Sequence, residues 1–152
     1  MRIRSAVPAD AGALVALLAG GSLGPSDEDA GELAPYVAAL EEIRDTPGCD
    51  VLVAELDGEV VGMCQLMVVR HVQHGGGRCA ELESVHVAAD LRSHGIGGAL
   101  VEAAVAAARA AGCYRVQLTS NGARADAHRF YERHGFEATH VGFKRLLGPP
   151  PG

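Results

Sequence analysis

Apolar residues recur along this chain with two periods, and the period switches at recognisable points. Leu14, Val15, Leu17 and Leu18 form one side of a helix over Pro8 to Ala19. A second helix runs from Leu33 to Arg44 and is stopped by Thr46-Pro47-Gly48. Between the two, Gly20 to Gly31 is rich in Gly, Ser and Asp and reads as a loop. Met1 to Arg4 alternates as a short strand. Val51 to Leu56 and Glu59 to Val69 flank Asp57-Gly58, a preferred two-residue turn, and so predict a hairpin. His71 to Gly77, with three consecutive glycines, is a flexible loop before a strand over Glu81 to Val87. An alanine-rich helix follows from Ile96 to Ala111, closed by Gly112. Val116 to Thr119 predicts a strand, Arg124 to His134 a helix capped by Gly135, and His140 to Leu147 a last strand. The tail Gly148-Pro149-Pro150-Pro151-Gly152 cannot join a sheet.

The order β-α-α-β-β-β-α-β-α-β predicts an α/β fold in which helices flank one mixed, mainly antiparallel central sheet. It lacks the regular alternation of a doubly wound fold. A length of 152 residues suits one domain over residues 1–147, with 148–152 as a tail. A formal net charge of −6 leaves no basic patch to dominate, which argues against nucleic acid as a partner. No apolar run is long enough to span a bilayer, and Met1-Arg2-Ile3-Arg4 lacks the apolar core of a secretory signal. The four cysteines (Cys49, Cys64, Cys79, Cys113) are scattered without metal spacing. They read as free thiols in a reducing cytoplasm, with one disulfide as the alternative. The expectation is therefore a cytoplasmic protein with no membrane partner and no metal.

The most informative segment is Arg92-Ser93-His94-Gly95-Ile96-Gly97-Gly98, at a strand–helix junction in mid-chain. The first N–H groups of a helix lack intrahelical acceptors, and the helix dipole favours an anion there. Glycines admit positive φ and close approach of a ligand to the backbone. A P-loop needs G-x-x-x-x-G-K-[S/T], and no lysine follows here. A dinucleotide fingerprint needs G-x-G-x-x-G just after the first strand, and Gly95-Ile96-Gly97 lacks the third glycine and sits late. What remains is R-x-x-G-x-G; a plain helix start with glycines for tight packing is the alternative.

About one helix later comes Ala127-His128-Arg129-Phe130-Tyr131-Glu132-Arg133-His134-Gly135-Phe136, the pattern A-x-x-F-Y-E-x-x-G-F. The two segments together resemble motifs A and B of the GNAT superfamily of N-acetyltransferases, and the likeness covers nearly the whole chain. The resemblance implies the GNAT fold and acetyl-CoA as co-substrate, with its pyrophosphate on the backbone amides of Arg92 to Gly98. It also implies a bulge that splays the fourth strand from the fifth, opening a gap for the pantetheine arm. Val85, His86 and Val87 match the strand that lines that gap, and the Val87 N–H matches the group that polarises the thioester carbonyl.

Tyr131 matches the family's general acid, a phenol that holds its proton through the neutral range and can protonate a departing thiolate. Packing beside Phe130 and Phe136 is its alternative. Asn121 matches a residue that holds the pantetheine amide or adenine-side groups, or else it is a turn or N-cap residue. It stands ten residues before Tyr131, more than in the commonest family pattern. Glu81 and Glu83 lie on the strand leading to the expected bulge. Period two places them on one face, shared with Val85 and Val87 unless a bulge intervenes. Either carboxylate can accept the amine proton, Glu83 being preferred, and both would attract a cation; exposed edge charge is the alternative. His71 and His74 suggest a metal only weakly, with no Asp or Cys joining them.

The reading at this stage is direct acetyl transfer to a small primary amine in a ternary complex, possible homodimerisation included. A non-catalytic acyl-CoA sensor and a peptide N-acetyltransferase are the alternatives. No cysteine lies in either motif, which argues against an acyl-cysteine intermediate.

Overall fold

The computed structural model describes residues 1–24 and 26–148. The chain divides into two compact units, Met1–Leu118 and Thr119–Gly152. The first holds a five-stranded sheet in the order β1-β2-β3-β4-β5. Its strands are β1 (Arg2–Ser5), β2 (Cys49–Leu56), β3 (Glu59–Arg70), β4 (Arg78–Val87) and β5 (Cys113–Gln117). The first four pair antiparallel and β4 pairs with β5 in parallel, giving the mixed, mainly antiparallel sheet expected.

The hairpin between β2 and β3 turns at Asp57 (φ 52°) and Gly58 (φ 87°), the two positive φ values that a type I′ turn requires. Helices α1 (Ala11–Gly20) and α2 (Ala34–Asp45) cover one face of the sheet. There Leu14, Leu17 and Leu40 cluster with Val51, Val53 and Met63. On the other face lies α4 (Ile96–Ala110), where Cys64 Sγ donates to the Leu100 carbonyl at 3.9 Å. Gly62 permits this close seat, since a Cβ there would stand 3.0 Å from Leu100 Cδ1 and 3.2 Å from Ile96 Cγ2. Pro8–Asp10 forms a 3-10 turn ahead of α1, so the first helix starts later than its apolar pattern implied. Asp10 accepts the Val7 N–H at 2.8 Å and a two-pronged pair of bonds from Arg4, whose Nε also reaches Glu55 at 2.7 Å.

Within the 71–77 loop, α3 (Gln73–Gly76) is a single turn in which His74 and Gly75 take left-handed backbone. β4 begins three residues before the strand that Glu81 was expected to open. β5 closes at Gln117, whereas the expected strand ended at Thr119.

The second unit contains α5 (Ala125–Arg133). The strand expected over His140 to Leu147 does not form. Val141, Phe143, Leu146 and Leu147 are exposed at 78, 95, 80 and 95%. Leu146 breaks the alternation set by Val141 and Phe143, and a strand also needs a neighbour's backbone, which the described residues do not supply. The Pro/Gly tail beyond Gly148 lies outside the described residues.

Candidate active site

The end of β4 is where the sheet stops being regular. Met63 faces His86 and Gln65 faces Glu83, so Cys64 alone stands opposite both Ser84 and Val85. That two-against-one count is a β-bulge, and Ser84 carries it with a left-handed φ of 52°. A bulge resets side-chain alternation. Residues directly opposite share a face, so Glu83 and His86 both point to the α1/α2 side with Gln65 and Met63. Val87, opposite Gly62, turns to the α4 side. The period-two placement of Val87 beside Glu81 and Glu83 is thereby corrected, and His86 takes its place.

Glu81, Glu83, Ser84, Val85, His86 and Val87 are all half-buried. Burial, reinforced by the negative charge of Glu81, pushes the Glu83 carboxyl above its usual range. Glu81 accepts a hydrogen bond from the Gln117 side-chain amide on β5. His86 stacks against the end of α1, where a Cβ on Gly21 would fall 1.9 Å from His86 Nδ1. The end of β4 and the end of α1 are thus fitted to each other through a glycine.

Arg92 strengthens the same junction. Its Nε donates to the Val87 carbonyl at 3.3 Å and its Nη2 to the Gly20 carbonyl at 3.2 Å. Ser93 (φ 66°) and Gly95 (φ 81°) turn the chain into α4, and His94 folds its ring back on the Arg92 carbonyl at 2.8 Å. No side chain caps α4, whose first amides belong to buried Ile96, half-buried Gly97 and buried Gly98. The loop thus presents an uncapped helix start behind two left-handed residues, Ser93 and Gly95. A shallow cavity of about 290 Å³ lies beside it, lined by Leu17, Gly20, Val60, Val87 and Arg92 among others.

In the second unit, Tyr131 is half-buried on α5, edge-on to Phe130 (5.1 Å) and Phe136 (5.8 Å). Asn121 acts in its own turn: its side-chain oxygen accepts the Ala123 N–H at 2.9 Å, and its carbonyl receives the Arg124 N–H at 2.9 Å.

His71 Nδ1 meets the Tyr114 hydroxyl at 3.0 Å, and the His74 ring lies 4.6 Å from the Tyr114 ring. These two histidines dress a tyrosine. Among the described residues no three His, Cys, Asp or Glu side chains converge as a metal site, and no helix is long and apolar enough to cross a membrane. Sequence reasoning missed Gly21 and Gln117. Gly21 was legible only as loop composition, and Gln117 acquires its meaning from a cross-strand register.

The Acetyltransferase (GNAT) family profile matches residues 22–136. The chain belongs to the GNAT acetyltransferase family. An aminoalkylphosphonate N-acetyltransferase of Salmonella typhimurium is 36% identical over 101 residues, covering 66% of this chain and 65% of that protein. An aminoglycoside N(6')-acetyltransferase type 1 of Stenotrophomonas maltophilia is 32% identical over 152 residues, covering 97% of this chain and 94% of that protein. Among solved structures, a transcriptional regulator from Bacillus halodurans superposes with a TM-score of 0.90 at 34% identity, covering 96% of this chain and 99% of that one. The GNAT fold is accordingly the fold of this chain, five-stranded sheet included.

Proposed function

We propose that this GNAT protein moves an acetyl group from acetyl-CoA to the primary amine of a small molecule, directly, in a ternary complex. The observation that carries the reading is the bulge at Ser84, which sets the half-buried Glu83 and His86 on one face just before the glycine loop. The loop fits the co-substrate's diphosphate: its two left-handed residues lead into an uncapped helix start, a cradle for an anion. The backbone of Arg92 to Gly98 would hold that group, and Val85 to Val87 would lie along the pantetheine arm. Acetyl-CoA supplies an activated acyl group as a thioester.

The protein's part is positioning and proton transfer. Glu83, whose proton affinity is raised by burial, removes the proton from the incoming ammonium or amine. Glu81 adds negative charge that favours a cationic acceptor. The Val87 N–H polarises the acyl carbonyl, and Tyr131 returns a proton to the departing thiolate. The two relatives named above are, by name, an aminoalkylphosphonate and an aminoglycoside N-acetyltransferase, which supports this acceptor class. Four cysteines free of disulfides support a reducing cytoplasm, and homodimerisation belongs to the same proposal.

The test is release of free CoA thiol with aminoalkylphosphonates, aminoglycosides and simple primary amines. Turnover on one class, lost in Glu83→Gln and slowed in Tyr131→Phe, is the expected result. The likeness to a protein described as a transcriptional regulator favours one second reading, an acyl-CoA sensor. CoA binding without turnover on any amine would establish it, and absence of CoA binding would overturn both.

A further inference from the structure

We propose that Arg115 is a specificity-determining residue of the acceptor site: it receives a carboxylate at the far end of the amine, so that the acceptor is an extended ω-amino acid. The inference rests on the reading of Glu83 as the residue that meets the amine.

A second bulge puts Arg115 on that face. Arg78 pairs with Cys113 and Cys79 with Arg115, so Tyr114 is an extra residue on β5 with no partner on β4. Without the bulge, Tyr114 would stand opposite Cys79 and Arg115 would turn toward α4. Cys79, Glu81 and Glu83 share the α1/α2 face of β4, and residues directly opposite share a face, so Arg115 and Gln117 lie on it too. The irregularities at Ser84 and Tyr114 thus bring Glu83, His86 and Arg115 to one side of the sheet.

The Arg115 side chain is exposed, and its guanidinium is held from behind. It lies over the Tyr114 ring, 5.3 Å from the centroid. Tyr114 is fixed in turn by the 71–77 loop. Its hydroxyl meets His71 Nδ1 at 3.0 Å, and the His74 ring lies 4.6 Å away. Gly77 leaves room for the ring, since a Cβ there would stand 2.9 Å from Tyr114 Cδ1. On its own face Arg115 neighbours the buried Cys79 and lies in the field of Glu81. Glu81 is engaged by the Gln117 amide, and among the described residues no carboxylate forms an ion pair with Arg115. A forked cation in that setting matches the two oxygens of a carboxylate.

Spacing narrows the acceptor. Cys79, opposite Arg115, lies four residues before Glu83, roughly 13 Å along β4. The arginine side chain shortens that span. An amine at Glu83 and a carboxylate at Arg115 then belong to a chain of about eight carbons, at about 1.5 Å per bond. The ammonium end meets the glutamates and the anionic end meets Arg115; glycine and β-alanine are too short to do both.

The experiment is release of free CoA thiol by the whole protein with ω-aminooctanoate, octylamine and the α,ω-diamine of the same length. Their far ends are anionic, neutral and cationic. The wild-type protein should favour ω-aminooctanoate over octylamine by about tenfold in kcat/KM. The difference should lie in KM, because the anchor is remote from the reacting atoms. β-Alanine should show no advantage over ethylamine. Arg115→Leu should bring the ratio close to one, and Arg115→Glu should reverse the order in favour of the diamine. Thermal melting checks both folds.

A weakened enzyme loses all three amines alike and cannot reverse the order, so uniform loss in both variants marks a structural role and overturns the proposal. A wild-type ratio near one, or a ratio that survives Arg115→Leu, overturns the subsite and leaves acetyl transfer standing. If Glu83→Gln keeps wild-type turnover while the Arg115 variants shift the preference, the base reading fails and the subsite stands. No turnover on any amine overturns both.

Discussion

Substituting Gly21 by alanine probes the junction on which the candidate site is built. Gly21 has φ −96° and ψ −4°, values any residue adopts, so backbone strain plays no part. The obstacle is the ring of His86: the new Cβ would lie 1.9 Å from Nδ1 and 2.3 Å from Cε1. Ordinary contact begins near 3.4 Å, so the His86 ring must swing away or the end of α1 must lift off β4. Overpacking of this kind costs about 1–3 kcal/mol. Replacing glycine at a compatible φ returns about 0.4–1 kcal/mol through the unfolded chain. The net loss is then about 1 kcal/mol, a fall in Tm of roughly 2–4 °C for a chain of this size.

The assay is urea denaturation of Gly21→Ala, His86→Ala and the double variant. Removal of the ring should make Gly21→Ala neutral or slightly stabilising, a coupling of at least about 1 kcal/mol. kcat/KM should fall in Gly21→Ala, because the displaced ring shares a face with Glu83. Additive single effects, or a Gly21→Ala protein as stable as the parent with His86 in place, would refute the fitted junction.

Other outcomes follow from the same geometry. Asp10→Asn removes the charge from the partner of Arg4 and should cost about 1–3 kcal/mol in urea denaturation at pH 7. The Arg4 guanidinium holds the Asp10 carboxyl below its ordinary range, so its stabilisation is present at neutral pH. That contribution should fade as pH falls below the usual carboxylate range, and Asp10→Asn should flatten the acid side of the stability curve. Gly95→Ala places a Cβ at φ 81° and should raise the KM for acetyl-CoA severalfold, with a stability loss of about 1 kcal/mol by melting. Burial pushes the Cys64 thiol up to about 12, so thiol titration of the native protein at pH 8 should leave Cys64 unlabelled until denaturant is added.

The sheet, its flanking helices and the glycine loop were legible because each rests on local signals. Asp57-Gly58 is a turn wherever it stands, and the continuous apolar run Val51-Leu52-Val53-Ala54 reports a strand buried on both faces. The last strand was not legible in this sense. His140 to Leu147 has strand-like composition, but no neighbour's backbone is supplied within the described residues. The face of His86 was also hidden, since a bulge inverts alternation without any change in residue pattern, and Ser84 is not the glycine that usually marks positive φ. Gln117 was invisible for a different reason: its role depends on a register between strands separated by a whole helix. Arg92 shows a third kind of limit. Its guanidinium binds the carbonyl of Gly20, 72 residues away in the chain, a contact that only the folded protein defines.

The left-handed residue at Ser84 works as a one-letter insertion in a two-letter reading frame. Upstream of it, odd-numbered positions of β4 face α1 and α2; downstream, even-numbered positions do. The same residues run through without the bulge would keep their strand and their hydrophobicity yet present Val85 in place of His86, and the histidine would turn toward α4. Substitutions within β4 therefore have opposite meanings on the two sides of residue 84. Any redesign of the acceptor pocket must count from the bulge and not from the end of the strand.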